Sequence, residues 1–218
     1  MNSRIEAARR QMIEQQVRAW DVLEPRVLDA LAAVPRELFV PAAYRGVAFA
    51  DAAIPIGHGQ CMLKPAVEGR ALQALVPARG ERVLEIGTGT GFFAGCLSEL
   101  AGDVESLEIH ADLAAAARQS LAALGLTRVD VKTADAYALD LGSGYDVIAV
   151  TGSLPVDDPR FERALSVGGR LFIVVGTPPI MQARLVTRTS DNAWLREVLF
   201  ETSIEPLVHA ALASKFTF

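Results

Sequence analysis

Arg82-Val83-Leu84-Glu85-Ile86-Gly87-Thr88-Gly89-Thr90-Gly91-Phe92-Phe93 is the stretch whose reading decides the fold. Its first half carries the short apolar run VLEI, preceded by Pro77-Ala78-Arg79-Gly80, and reads as a buried strand over residues 82–86. Its second half sets glycines at alternate positions before a helical segment, residues 92–100. Such a turn brings a ligand close to the backbone, since glycine has no Cβ. The helix that follows offers N–H groups without intrahelical partners. Downstream the alternation repeats: strands are expected at residues 103–107, 129–133, 145–150 and 170–175, separated by helical segments such as the alanine-rich 111–124. Alternation of this kind predicts an α/β, Rossmann-like fold, a mostly parallel sheet flanked by helices.

Upstream, Ile5, Met12, Ile13 and Val17, then Val27, Leu28, Leu31 and Val34, recur at helical spacing and predict an N-terminal helical cap ending at Pro35. Residues 39–65 break into a loop rich in Pro and Gly, and IPIGHGQCMLKP (54–65) lacks the polar alternation of an exposed strand. Helical spacing returns over 67–75. The tail, residues 182–218, reads as strands with little helix, RLVTRT and REVLFETSIEPLV, added antiparallel at one sheet edge. The division expected is a single domain over 1–218: helical cap and loop in 1–77, α/β core carrying the glycine turn in 78–180, C-terminal strands in 181–218.

Composition narrows the function classes. Hydrophobic residues make up 51% of the 218 residues and aromatics 6%, which suits aliphatic strands and alanine-rich helices better than a β-sandwich. A net charge of -5 without a basic run argues against nucleic acid, because phosphate contacts need clustered Lys and Arg. The first 16 residues have no apolar signal core, and the longest apolar runs, such as LFIVV at 171–175, fall far short of the roughly 20 residues a bilayer needs. A cytoplasmic protein without membrane contact is expected. Cys61 and Cys96 show neither CxxC spacing nor a neighbouring His and read as reduced thiols, so no metal is expected.

The chemistry starts at the turn. A dinucleotide fold would carry GxGxxG, whereas GxGxG stands here, with Glu85 two residues before the first glycine. A pyrophosphate would be repelled by Glu85. S-adenosylmethionine, with its sulfonium and α-ammonium, would be attracted. Glu108 ends the next strand, where it can accept from both ribose hydroxyls of an adenosine. Asp135 follows the third strand and can accept from the adenine amino group or cap a helix, with the Ala136 N–H in reach of the ring. His110, though able to flank an adenine, and His209 read as structural, and Trp20 and Trp194 as packing groups.

These residues resemble the protein-L-isoaspartate O-methyltransferases over nearly the whole chain. The stretches that carry the resemblance, in family order, are AVPRELFVP (33–41), IPIGHGQ (54–60), LEIGTGTG (84–91), YDVIAVTGSLP (145–155), VGGRLFIVVG (167–176) and PLV (206–208). The resemblance implies a cofactor, S-adenosylmethionine, leaving as S-adenosylhomocysteine. It implies a substrate too: proteins or peptides carrying the free carboxylate of an isoaspartyl residue, methylated as the first step of repair. The cofactor positions it implies are Glu85, Gly87, Gly89 and Gly91, Glu108, Asp135 and Ala136, with Thr88, Ile109 and Thr151 beside them and Gln60, Cys61, Met62 and Leu63 nearby. The family's active-site serine falls on Leu63, which has no hydroxyl, and its late arginine falls in Ser203-Ile204-Glu205, which adds a negative charge. The acceptor is therefore expected to be oriented by backbone N–H groups of residues 60–64, by the Lys64 ammonium, and by Gln60 and His58, which face the same loop. Three readings stand: the repair methyltransferase, a methyltransferase of the same fold with another acceptor, including a small molecule, and a non-catalytic sensor of the cofactor or its product. A monomer or weak homodimer is expected.

Overall fold

The computed structural model describes residues 2–212. The N-terminal cap is helical, as its spacing predicts. α1 (Asn2–Met12) passes through a π-helical turn (Ile13–Val17) and a 3-10 turn (Arg18–Trp20) that ends on Asp21 in the left-handed region, φ 58°. α2 (Pro25–Ala33) starts with Pro at its first turn, and the Glu24 side chain accepts from the Arg26 N–H, which satisfies one of the helix's free donors. α3 (Arg36–Phe39) is one turn. Trp20 packs edge-on against Phe200, centroids 5.8 Å apart, and Trp194 donates its indole N–H to the Glu162 carbonyl at 3.1 Å.

The segment expected to be loop contains a hairpin, β1 (Ile54–Gly57) and β2 (Gln60–Met62). His58 and Gly59 form its two-residue turn with φ of 53° and 71°. Two successive positive φ values are what a type I′ turn requires, and its twist suits a hairpin without polar alternation in the strands.

After α4 (Pro65–Leu75) come β3 (Val83–Ile86), α5 (Phe92–Ala101), β4 (Val104–Glu108), α6 (Ala111–Ala123), β5 (Val129–Thr133) and β6 (Tyr145–Leu154). The chain continues through α7 (Pro159–Arg163), β7 (Leu165–Thr177), β8 (Ile180–Ser190) and β9 (Ala193–Thr202). The seven-stranded sheet has the order β5-β4-β3-β6-β7-β8-β9; the first five strands are parallel and the last two antiparallel. All five α/β strands fall where the apolar runs predict them, β6 and β7 being longer. Both faces are covered. Val83, Val104 and Val147 pack with Phe92 and Leu97 on one side, and Leu84, Ile86, Ile148 and Leu171 pack with Phe161 on the other. That is why these strands are apolar at consecutive positions.

β8 and β9 extend one sheet edge antiparallel, as expected of the tail, but its last part departs from the strand reading. β9 stops at Thr202, and residues 203–210 turn back over the carboxyl ends of the parallel strands. Ser153 holds them there: its N–H donates to the Glu205 carbonyl at 2.8 Å, its hydroxyl to that of Ile204 at 2.9 Å, and its own carbonyl accepts from Leu207 at 2.9 Å. Gly152 makes room for this approach, since a Cβ there would lie 2.7 Å from Leu207 Cδ2. The expected strand residues 213–218 lie outside the described residues.

Candidate active site

From β3 the chain runs left to β4 and β5, then returns to place β6 on the other side of β3. Such a reversal opens a crevice beyond the carboxyl ends of the strands. The glycine turn forms its floor. Gly87, Gly89 and Gly91 all have positive φ (97°, 53° and 91°), for different reasons. A Cβ on Gly87 would stand 2.5 Å from Thr151 Oγ1, and one on Gly91 would press on Ala117 and Leu121 of α6 at 3.2 and 3.3 Å. Gly91 thus seats α6 rather than facing the crevice.

The turn is anchored to β4. The N–H groups of Gly87 and Thr88 donate to the Leu107 carbonyl at 2.8 and 3.2 Å, and the Gly89 N–H donates to Glu108 Oε2 at 2.8 Å. Glu108 Oε1 accepts from the His110 N–H at 3.0 Å. Thr151 ties the turn to β6, donating to the Gly87 carbonyl at 2.6 Å.

Two connected chambers result. The first has an empty volume of about 640 Å³ and is lined by Gly87 and Gly89 of the turn, by Glu108 and Ile109 after β4 and by Asp135 and Ala136 after β5. Thr151 closes its far end, and Gln60 and Cys61 of β2 lie over it. The second, about 330 Å³, shares Ile56, Cys61, Gly87, Gly89 and Thr151 with the first and extends past Thr88 to Met62, Leu63, Glu68, Phe92 and Phe93. The Cys61 thiol on the shared wall is pushed up by burial and by the Glu205 carboxylate, so it remains protonated at neutral pH.

Besides Gly91, three expected residues stand elsewhere. Glu85 lines neither chamber. It alternates with Leu84 and Ile86, so its side chain falls on the α5 side of the sheet, fully buried, where Ser106 Oγ donates to Oε2 and Thr88 Oγ1 meets the same hydroxyl. Burial pushes its carboxyl up to about 8, against the Ser106 hydrogen bond and with the carboxylates of Glu108 and Glu68. A neutral acid beneath the turn cannot act as the anion that attracts a sulfonium, which corrects the electrostatic argument drawn from the sequence. Lys64 is exposed at the N-cap of α4 and lines neither chamber. His58 sits outside both. Its ring stacks on His110, centroids 3.9 Å apart, and its Nε2 meets Asp112 at 2.9 Å, so it clips the hairpin to the start of α6.

The Glu85 acid makes a stability prediction. An unfolded carboxyl loses its proton near 4.5 and the folded one near 8, so this group's stabilising contribution is lost as pH rises between those values. Between about pH 5.5 and 7.5, Glu85→Gln is expected to remove about 1.4 kcal/mol per pH unit from the slope of unfolding free energy. Urea titrations at both pH values measure it; identical slopes in the two proteins count against a neutral Glu85.

Other wall residues escaped the sequence reading. Leu207 and Val208 line the first chamber from the returning tail, with Tyr137 and Leu113; His110, read as structural though able to flank an adenine, lines it too. The PLV match flagged the first two without showing that they leave the sheet. Asp135 caps a turn, not a helix, accepting from the Tyr137 N–H at 2.8 Å; its other oxygen meets His209 Nδ1 at 2.8 Å. Burial raises this carboxyl, but the Tyr137 N–H and the His209 imidazole together hold it below its ordinary value. Among the described residues no three His, Cys, Asp or Glu side chains are grouped to hold a metal ion, and no helix is long and apolar enough to cross a membrane.

A glycine turn at the switch point of a parallel sheet, with carboxylates following the next two strands, defines a Rossmann-like, S-adenosylmethionine-dependent methyltransferase. The comparisons agree. The sequence model of the protein-L-isoaspartate (D-aspartate) O-methyltransferase (PCMT) family matches residues 7–211, and the chain belongs to that family. Protein-L-isoaspartate O-methyltransferase 1 of Rhodopseudomonas palustris (strain HaA2) is 40% identical over 93% of this chain and 83% of its own length. A Methylorubrum populi protein-L-isoaspartate O-methyltransferase is 36% identical over 96% of this chain and 99% of its own. A Plasmodium falciparum structure assigned to the same enzyme, in complex with S-adenosyl-L-homocysteine, shares the fold with a TM-score of 0.80 at 17% identity, over 93% of this chain and 97% of that one.

Proposed function

We propose that this chain transfers the methyl group of S-adenosylmethionine to the free carboxylate of L-isoaspartyl residues in proteins and peptides. The observation that carries the reading is the pair of joined chambers, one with polar groups spaced for a nucleoside and one mostly apolar, meeting at Gly87, Gly89 and Thr151. Membership in the family supplies the substrate class.

The residues present fit the cofactor. Each Glu108 oxygen holds one backbone N–H and keeps a further lone pair for a ribose hydroxyl. Asp135 and Ala136, after the next strand, line the same chamber and can receive the adenine, with Leu113 and Tyr137 also on its walls. Gly87 and Gly89 leave the floor open where a side chain would intrude on Thr151 or Ile56. S-adenosylmethionine supplies, when bound, a methyl carbon on a sulfonium leaving group.

The remaining work falls to the protein and is positional. An isoaspartyl carboxylate is already ionised near neutral pH and needs no general base. Phe92, Phe93, Ile56 and Leu63 give the second chamber apolar walls, and fixing the acceptor in line with the methyl group can contribute up to about 7–11 kcal/mol through orientation alone. The Gln60 side chain, donating to the Pro206 carbonyl at 3.3 Å, joins hairpin to tail over the meeting point of the chambers.

The test is transfer of labelled methyl to an isoaspartyl peptide, with the aspartyl isomer as control. A base-labile methyl ester on the isoaspartyl peptide alone is the expected result. Cofactor binding without ester on either peptide would overturn the substrate assignment.

A further inference from the structure

One acidic side chain at the crevice has no partner among the described residues. Glu205 belongs to the returning tail, and its backbone is fixed from two sides. Its carbonyl accepts from the Ser153 N–H at 2.8 Å, and the carbonyl of the next residue, Pro206, accepts from the Gln60 side chain of the hairpin at 3.3 Å. The Glu205 side chain is exposed, and no Lys, Arg or His among the described residues bonds it. Its carboxylate is felt at Cys61, which lines both chambers: after burial, it is the group that pushes that thiol up. A negative charge therefore stands over the junction of the chambers, on the side open to solvent.

The other charges of the site are already matched. His209 meets Asp135 at 2.8 Å and His58 meets Asp112 at 2.9 Å. Glu108 is held by the Gly89 and His110 N–H groups. Arg36 and Glu68, both buried, bond each other against the second chamber, where burial pushes Glu68 up to about 7 although the Arg36 guanidinium pulls it down. The α-ammonium and carboxylate of S-adenosylmethionine cancel, and its sulfonium answers the acceptor carboxylate. Glu205 is left over, and its charge is best answered by a cation on the acceptor chain itself. We propose that Glu205 sets the sequence preference of this enzyme: isoaspartyl sites with Lys or Arg as a neighbour are favoured, and sites with Asp or Glu there are disfavoured. The proposal rests on the isoaspartyl reading and names the substrate class within it.

The size of the effect follows from exposure. An exposed ion pair contributes about twofold to fivefold in affinity in dilute salt, and a like-charged neighbour costs about as much, so Lys-flanked and Glu-flanked peptides should differ by about fivefold to twentyfold. Near about 1 M salt, where the Debye length is about 3 Å, the ratio should fall to about two or less. The difference belongs in KM, with kcat alike, because the flanking residue makes the same contact before and during transfer. The net charge of -5 also draws cationic peptides, but it acts over the whole surface, whereas Glu205 acts on residues next to the isoaspartyl position.

The test uses the whole protein and peptides with blocked ends that carry Lys, Ser or Glu on either side of one isoaspartyl residue. In about 10 mM salt the KM is expected to rise in the order Lys, Ser, Glu, and the spread to shrink as salt is added. Glu205→Gln should bring the three peptides together, and Glu205→Arg should reverse their order. Asp103→Asn, which changes the net charge equally but lies at the amino end of β4, should keep the wild-type order. Calorimetry of the same peptides binding to protein loaded with S-adenosylhomocysteine should give the same order without turnover. Moving the Lys to the far end of the peptide should remove its advantage, which decides the matter on the wild-type protein alone if a variant does not fold. Equal KM values in the wild type, an order that survives Glu205→Gln, or an equal loss with Asp103→Asn would overturn the proposal. Ester formed on every peptide at one KM would reject only the role of Glu205, whereas no ester on any of them would reject the isoaspartyl reading and the proposal with it.

Discussion

Glu108→Ala is expected to weaken binding of S-adenosylhomocysteine by about 10²–10⁴-fold, from the loss of two charge-assisted hydrogen bonds of about 1.5–3 kcal/mol each. The geometry adds a second cost. The same carboxylate holds the Gly89 N–H at 2.8 Å and the His110 N–H at 3.0 Å, so its removal loosens the floor of the crevice as well as the grip on the sugar. Glu108→Gln keeps one good acceptor and should fall between the two. Isothermal calorimetry measures both variants, with circular dichroism to establish that the sheet is intact. A dissociation constant within about threefold of wild type for Glu108→Ala, against the few kcal/mol that such bonds carry, would remove Glu108 from the cofactor site.

Arg36→Ala is expected to have the largest effect on stability, about 3–5 kcal/mol, because it breaks a buried pair and leaves its partner uncompensated. The Leu63 and Ala48 carbonyls lose their donor in the same step, and a void opens against Phe92. The loss should depend on pH in a definite direction. Without the guanidinium the Glu68 carboxyl rises further, so at pH 6 it remains a neutral acid and the loss is smaller, whereas at pH 8 it must ionise unpaired or carry its proton at a cost. Urea unfolding at the two pH values resolves this. The double variant Arg36→Met with Glu68→Leu, apolar at both positions, should recover much of the loss, as buried pairs replaced together often do. A double variant no more stable than Arg36→Ala would mean that the carbonyl contacts, not the ion pair, dominate.

The two predictions sit at opposite ends of what was legible in the sequence. Glu108 was visible because its meaning is local: it ends the strand after the glycine turn, and parallel strands joined by a helix bring successive carboxyl ends to one side of a sheet. The pairing of Arg36 with Glu68 is not legible in the sequence. They are 32 residues apart, on α3 and α4, and nothing in the period of either helix says that the two side chains meet behind Leu63.

Glu85 shows the same limit at shorter range. Its place beside the glycines suggested a charge facing the ligand, but strand alternation puts it on the α5 side of the sheet with Val83, where burial neutralises it. The hairpin of residues 54–62 was missed because its two-residue turn uses His58 rather than the usual Asn or Asp. The fold back of the tail was missed because Ser203-Ile204-Glu205 continues the apolar rhythm of β9, and the contacts with Ser153 that end the strand lie some 50 residues upstream.

By itself the sequence determined the α/β class, the position of every parallel strand, the glycine turn and the acidic residue after β4, since runs of apolar residues and the spacing of glycines are properties of neighbouring positions. Only the tertiary structure decided which side chains face the crevice, that hairpin and tail cover it, and that a buried Arg36–Glu68 pair lies against the second chamber. The physical reason is that burial, and with it the charge a carboxyl carries, depends on segments far apart in the chain coming into contact.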